Sequence, residues 1–213
     1  MSALLKQCVV SAMTVAVLLL AGCSQTTKPA VSLETVAAKE SKAPPEPVTA
    51  KTAFWAMYTP ARQWAKDLVL LRLTPKDVPG FKNEAGKAAM WQATFASPSE
   101  HQYRVYSYAV AAAPPDIYKG VITRLPAPWG GGTRDTMPID LSLFNVDSDA
   151  AYQAAATDGA AWLKKNPAKG LSSFALGDTD RFQAPVWLLL WGDKKSGYLA
   201  YVDANTGKVL KQK

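Results

Sequence analysis

The chain is poor in the residues from which most catalytic and metal centres are built. Among 213 residues there is one histidine, His101, and there are two cysteines, Cys8 and Cys23. A single histidine excludes two-histidine metal sites and restricts any Ser-His-Asp triad to one built on His101. Two cysteines cannot make a disulfide framework. Runs of like charge never exceed two residues, as in Lys164-Lys165 and Lys194-Lys195. A nucleic-acid partner, which wants a basic stripe, is therefore not expected. The longest apolar stretch is also short. Val9 to Leu20 is apolar apart from Ser11 and Thr14, and as helix it would reach about 18 Å against a hydrocarbon core of about 30 Å. What the chain does have is 48% hydrophobic and only 19% charged residues, a balance that predicts a packed core.

The short apolar stretch follows Lys6, the one charge before Lys28. That order fits the basic and hydrophobic regions of a secretory signal. It ends in Leu20-Ala21-Gly22-Cys23, which resembles the bacterial lipobox. The resemblance implies a signal peptide over 1–22, removed before Cys23, and a lipid on the Cys23 sulfur. Several acyl chains would anchor the protein stably, where a single one binds only marginally. Ser24, rather than Asp, implies by the same resemblance an outer-membrane lipoprotein facing the periplasm. Cys8 would leave with the signal, so the two cysteines imply an anchor and no redox pair. No other cofactor and no metal is expected.

Residues 23–50 read as the anchor and a flexible tether. They hold Pro29, Pro44, Pro45 and Pro47 and no aromatic residue. Such a segment cannot bury enough apolar surface to order itself, and its Pro-rich end is semi-stiff. A short helix over 32–42 is the alternative.

From Lys51 the pattern changes. Phe54, Met57, Ala61, Trp64 and Leu68 are spaced 3-4-3-4, which predicts an amphipathic helix begun near Thr52 and kinked at Pro60. Residues 68–73 suit a buried strand or helix end, and 74–80, with two prolines and a glycine, a loop. Residues 89–96, 102–111 and 118–125 suit strands, and 127–136 a glycine-rich loop. Residues 139–146 alternate as a strand. Asp147 then caps a helix carrying Ala151, Ala155, Gly159 and Trp162, with Lys164 and Lys165 in its last turn. Two strands, 186–191 and 198–203, and a short one at 208–211 finish the chain.

Landmarks recur. Trp64 to Trp162 is 98 residues, Trp91 to Trp187 is 96 and Tyr103 to Tyr198 is 95. A helix with Trp, a strand with Trp and a strand with Tyr thus occur twice in one order. This predicts an α+β fold of two units, 51–138 and 139–213, each an amphipathic helix packed on an antiparallel sheet. The ending Tyr201-Val202-Asp203-Ala204-Asn205-Thr206-Gly207-Lys208-Val209-Leu210 is similar to the last hairpin of PepSY domains. Val146-Asp147-Ser148-Asp149-Ala150 resembles their helix start. The resemblance implies two tandem PepSY-like units in a secreted or envelope protein. It further implies a role in restraining a peptidase or binding a partner, with no catalytic residues. The corresponding hairpin of the first unit, Tyr106–Pro114, lacks the Asp-Ala-x-Thr-Gly turn.

Other constellations are weak. Asp203-Ala-Asn205-Thr-Gly207 has the opening rhythm of a calcium loop but lacks its third ligand and closing Glu, so it suits a hairpin turn. Asp178 and Asp180 could form a carboxylate pair, but two aspartates in a glycine-containing loop more often bond their own backbone. Gly130-Gly131-Gly132 has no following Lys for a phosphate loop. The features suited to a partner are Trp129 and Arg134, since these residue types anchor interfaces. The net charge of +7 falls to +6 over 51–213. It is dispersed and reads as a solvated surface. The expected function is a membrane-anchored, non-catalytic binding or inhibitory module of the envelope. An assembly accessory of the outer membrane is the alternative, and a hydrolase using a carboxylate site a distant third.

Overall fold

The computed structural model describes residues 44–211. The signal, Cys23 and most of the tether lie outside the described residues. Val48, inside the segment read as tether, already pairs with Ala88. Its carbonyl also accepts the indole N–H of Trp91 at 2.9 Å.

The elements are α1 (Ala50–Trp64), β1 (Val69–Lys76), β2 (Met90–Ser97), β3 (Gln102–Ala109), β4 (Gly120–Thr123), β5 (Ala127–Pro128), α2 (Ser148–Asp158), α3 (Ala160–Lys165), β6 (Leu171–Gly177), β7 (Val186–Trp191), β8 (Tyr198–Asp203) and β9 (Val209–Leu210). The strands form one antiparallel α+β sheet in the order β4-β3-β2-β1-β6-β7-β8-β9, with β5 paired to β3. The order is symmetric about the β1–β6 seam. Each half is a helix followed by an antiparallel meander, and the first strands of the two meanders lie side by side.

The apolar stripe of α1 packs as its spacing requires. Phe54, Met57 and Ala61 are buried and the helix continues through Pro60. Alternation along β2 places Trp91, Ala93 and Phe95 in the same core. In the second half, Trp187 and Leu189 of β7 and Val202 of β8 join them. Trp91, Phe174 and Trp187 meet edge-on and tilted at the centre, 5.1 to 6.4 Å apart.

The halves match in detail. The Trp187 indole donates to the Val146 carbonyl at 3.0 Å, repeating the Trp91–Val48 bond. Leu70 pairs with Phe95 and Leu171 with Trp191, and in both strands the register shifts immediately after that leucine. The helix starts meet at the seam, where the N–H of Ala50 donates to Ser148 Oγ at 2.8 Å and that of Lys51 to Asp147 Oδ1 at 2.9 Å. Asp147 thus serves both helices, since it also accepts from the Ser148 N–H. Helix starts are rich in unsatisfied N–H groups, which is why acceptors gather there.

Three readings of the sequence are corrected, and one strand is added. Residues 139–146 are not a strand; Ile139 bridges Leu70, and Leu141–Leu143 form a 3-10 turn capped by Asp140. Their apolar residues serve an irregular segment that inserts Ile139, turns, and then inserts Phe144 against Phe54 and Trp187. Residues 74–76 are strand rather than loop. Pro75 is tolerated because β6 pairs with β1 only at Arg72 and Leu73, leaving this end of β1 an open edge. Residues 171–177, to which the sequence pattern assigns no element, are a full strand whose apolar signal is diluted by Ser172, Ser173 and the closing Gly177. Finally, Trp191 pairs with Tyr198 and Phe95 with Arg104. The counterpart of Tyr198 is therefore Arg104, and Tyr103 points to the other face.

Candidate functional site

The halves are joined by few bonds. Only Arg72–Gly177 and Leu73–Leu176 pair across the seam. Beyond them β1 and β6 separate, and a single side-chain bond, Thr74 Oγ1 donating to the Phe174 carbonyl at 2.9 Å, spans the fork. Above the fork lies a cleft of about 800 Å³. Beneath it lie Trp91, Phe174 and Trp191, all buried core residues. One wall is the loop Phe81–Lys87; the other is Tyr152 of α2, Leu163 and Asn166 at the end of α3, and the chain from Lys169 into β6.

Both walls are built rather than loose. Asn83 donates to Asp77 Oδ1 at 2.9 Å and accepts from the Ala89 N–H, while Glu84 and Lys87 exchange backbone bonds. Gly86 has φ of +81° and faces the Ser148 carbonyl so closely that a Cβ would collide with backbone. Only glycine accepts both conditions. Outside the cleft lining, Gly159 lets the Tyr198 ring lie against the α2–α3 junction that carries the second wall, and the phenol donates to Asp158 at 2.6 Å. Burial and that carboxylate push the Tyr198 phenol well above the ordinary range.

Charges at the mouth are largely paired with each other. Lys82 meets Glu84 at 3.2 Å and Lys169 meets Asp193 at 3.8 Å. Asp193 accepts from the Ser196 hydroxyl and from two backbone N–H groups, so its carboxyl is held down at about 2. The cleft thus offers two open strand edges, the exposed Leu171 over buried aromatic rings, and a mouth of exposed, paired charges. That arrangement suits an extended chain better than a small charged molecule.

The residues singled out from the sequence lie elsewhere. Trp129 is half-buried and its backbone N–H donates to the His101 carbonyl at 2.8 Å, beside the β5–β3 pairing. His101 itself is exposed, with φ of +51°, in the β2–β3 turn. Arg134 is exposed and donates to Asp180 at 2.6 Å, which raises its basicity. Different neighbours therefore hold Trp129 and Arg134. Asp180 is engaged by Arg134. Asp178 is pushed upward by burial and then by Asp140, and its carbonyl accepts the Met137 N–H. Asp203 accepts from the N–H groups of Asn205 and Thr206, the closed turn its sequence implied. Among the described residues no group of three or more His, Cys, Asp or Glu could hold a metal, and no helix is long and apolar enough to cross a membrane.

The cleft was missed because β6 was not recognised as a strand. The available signal lay in the repeat. Met137-Pro138-Ile139 precede the second helix, whereas Lys39-Glu40-Ser41 stand at the same offset before the first.

No family model matches the chain, and no curated protein matches it. Among solved structures, the chain is similar to a Clostridium difficile 630 protein described as a "putative lipoprotein". The identity is 12%, the TM-score 0.43, and the match covers 72% of this chain and 87% of that one.

Proposed function

We propose that the protein is a membrane-anchored, non-catalytic binding or inhibitory module of the bacterial cell envelope. It is built from two tandem PepSY-like units, lipidated on Cys23 and displayed from the outer membrane towards the periplasm. The observation that carries the binding reading is the cleft at the β1–β6 fork. It presents unpaired strand edge beside the exposed Leu171, above a buried aromatic layer, and an open strand edge is what extended polypeptide partners pair with. The repeated Trp–carbonyl bonds, the matching register shifts and the symmetric strand order support the reading of two units. The Cys23 anchor rests on the sequence motif alone, and Trp129 and Arg134 stay as accessory contacts.

The test is photo-crosslinking from a residue at the mouth, Lys87, in intact envelopes. The binding reading expects stoichiometric capture of one protein. Recovery of bulk cell wall or lipid instead would establish an assembly accessory. Turnover of a substrate, lost in Asp178→Asn, would overturn both. Cys23→Ala should move the protein from the membrane to the soluble fraction.

A further inference from the structure

The two ends of the β1–β6 seam are related by the internal repeat, yet they differ in one respect. At the first end β1 and the chain leaving β6 separate, and the protein closes the gap with its own segment. Ile139 donates its N–H to the Leu70 carbonyl at 2.7 Å, and Met137 donates to the Asp178 carbonyl at 3.0 Å. The Ile139 side chain is then 3% exposed and Leu70 beneath it 0%. At the second end the matching residues are Leu171, fixed by its pairing with Trp191 and the register shift that follows it, and Asp77. Nothing among the described residues spans them. Leu171 is accordingly 36% exposed, although its counterpart is wholly buried.

Resting on the binding reading above, we propose that this second gap receives an extended segment of a partner polypeptide. The segment adds as a short strand between β1 and β6 and places an aliphatic side chain on Leu171, as Ile139 does on Leu70. The sequence favours a partner over the chain itself. The residues at the offset of Met137-Pro138-Ile139 are Lys39-Glu40-Ser41, none of which can fill an aliphatic seat over buried aromatic rings. Burying a leucine-sized surface is the driving force that the present exposure of Leu171 leaves unused. Strand addition satisfies the backbone of both edges at once.

The probe is a synthetic peptide with the sequence of residues 134–143, the segment that closes the first gap, carrying a photoreactive group beside the isoleucine. It is added to the full-length chain in detergent. The expected result is saturable binding, with adducts on Leu171 and on Pro75 to Asp77. Leu171→Lys, at an exposed position, should weaken binding about tenfold or more with an unchanged melting temperature. The peptide bearing Ile139→Asp should fail equally. Binding without adducts at the fork, binding indifferent to Leu171→Lys, or no adduct at all would each overturn the proposal. Envelope crosslinking that captures a partner, combined with any of those results, would leave the binding module standing and remove only its strand-addition mode.

Discussion

The guanidinium of Arg104 lies over the Trp64 indole, 4.7 Å from the ring centroid, in the place that Tyr198 takes against Trp162, 6.2 Å between rings. The two halves solve one packing problem with different chemistry. Arg104 solves it less completely, because its Nε is buried without a hydrogen-bond partner. Replacing Arg104 with Tyr should therefore hold or raise stability, whereas Arg104→Ala should lose about 1–2 kcal/mol of stacking and packing. Urea denaturation of the two variants checks this, and a Tyr variant weaker than the Ala variant would refute the equivalence.

Trp91 and Trp187 are each 0% exposed and each donate to a backbone carbonyl just before a helix. Truncating either to Ala should cost about 3–5 kcal/mol. Trp→Phe should cost less, chiefly through the carbonyl left without its donor, about 1–3 kcal/mol. Similar losses at the two positions are expected, read from paired denaturation curves. A large asymmetry would mean that one half is anchored by something other than its tryptophan.

Ser148 is wholly buried and accepts the first N–H of α1 from 98 residues away. Ser148→Ala leaves that N–H buried and unpaired, at a cost of about 1–3 kcal/mol. Ser148→Thr keeps the acceptor but adds a methyl to a filled site, so it should recover only part of the loss. Calorimetry on the three proteins makes the comparison.

Acid stability should carry the signature of Asp193. Its folded-state carboxyl sits at about 2 against an ordinary 3.8, so its contribution is complete above the ordinary value and is lost as pH falls from 3.8 towards 2. Asp67 and Asp140, also lowered by hydrogen bonds to serine, act with the same sign. Asp178 acts oppositely. Burial raises it, so it weakens the fold once ionised, and Asp178→Asn should stabilise at neutral pH with no gain in strong acid. Asp193→Asn should flatten the acid limb in that window. Carboxylate NMR titration beside melting curves tests both signs.

The elements most legible in the sequence were those whose apolar residues face one core at a fixed period. The stripe through Phe54, Met57 and Ala61, and the run from Val186 to Trp191, announced a helix and a strand because burial alone dictates them. Trp91 and Trp187 announced the repeat because a large ring with one N–H fits few places. Strand β6 was hidden because only Phe174, Ala175 and Leu176 are buried in it, so alternation had little to act on. The candidate site shared its fate. A cleft made by two strands parting depends on which pairings stop, and pairing leaves no trace in composition. Residues 139–146 misled for the opposite reason, since apolar plugs at Ile139 and Phe144 on either side of a turn imitate the beats of a strand.

The narrow seam has a kinetic meaning. Within each half the strands follow one another in a meander, so their contacts close short loops. The bonds joining the halves, from Ala50 to Ser148 or from Leu73 to Leu176, close loops of about a hundred residues for very little pairing in return. Each half should therefore gather its own strands early, and docking of the two should come late in folding and come apart first in unfolding. Hydrogen exchange would show the seam amides opening at lower free energy than those of β2 and β7.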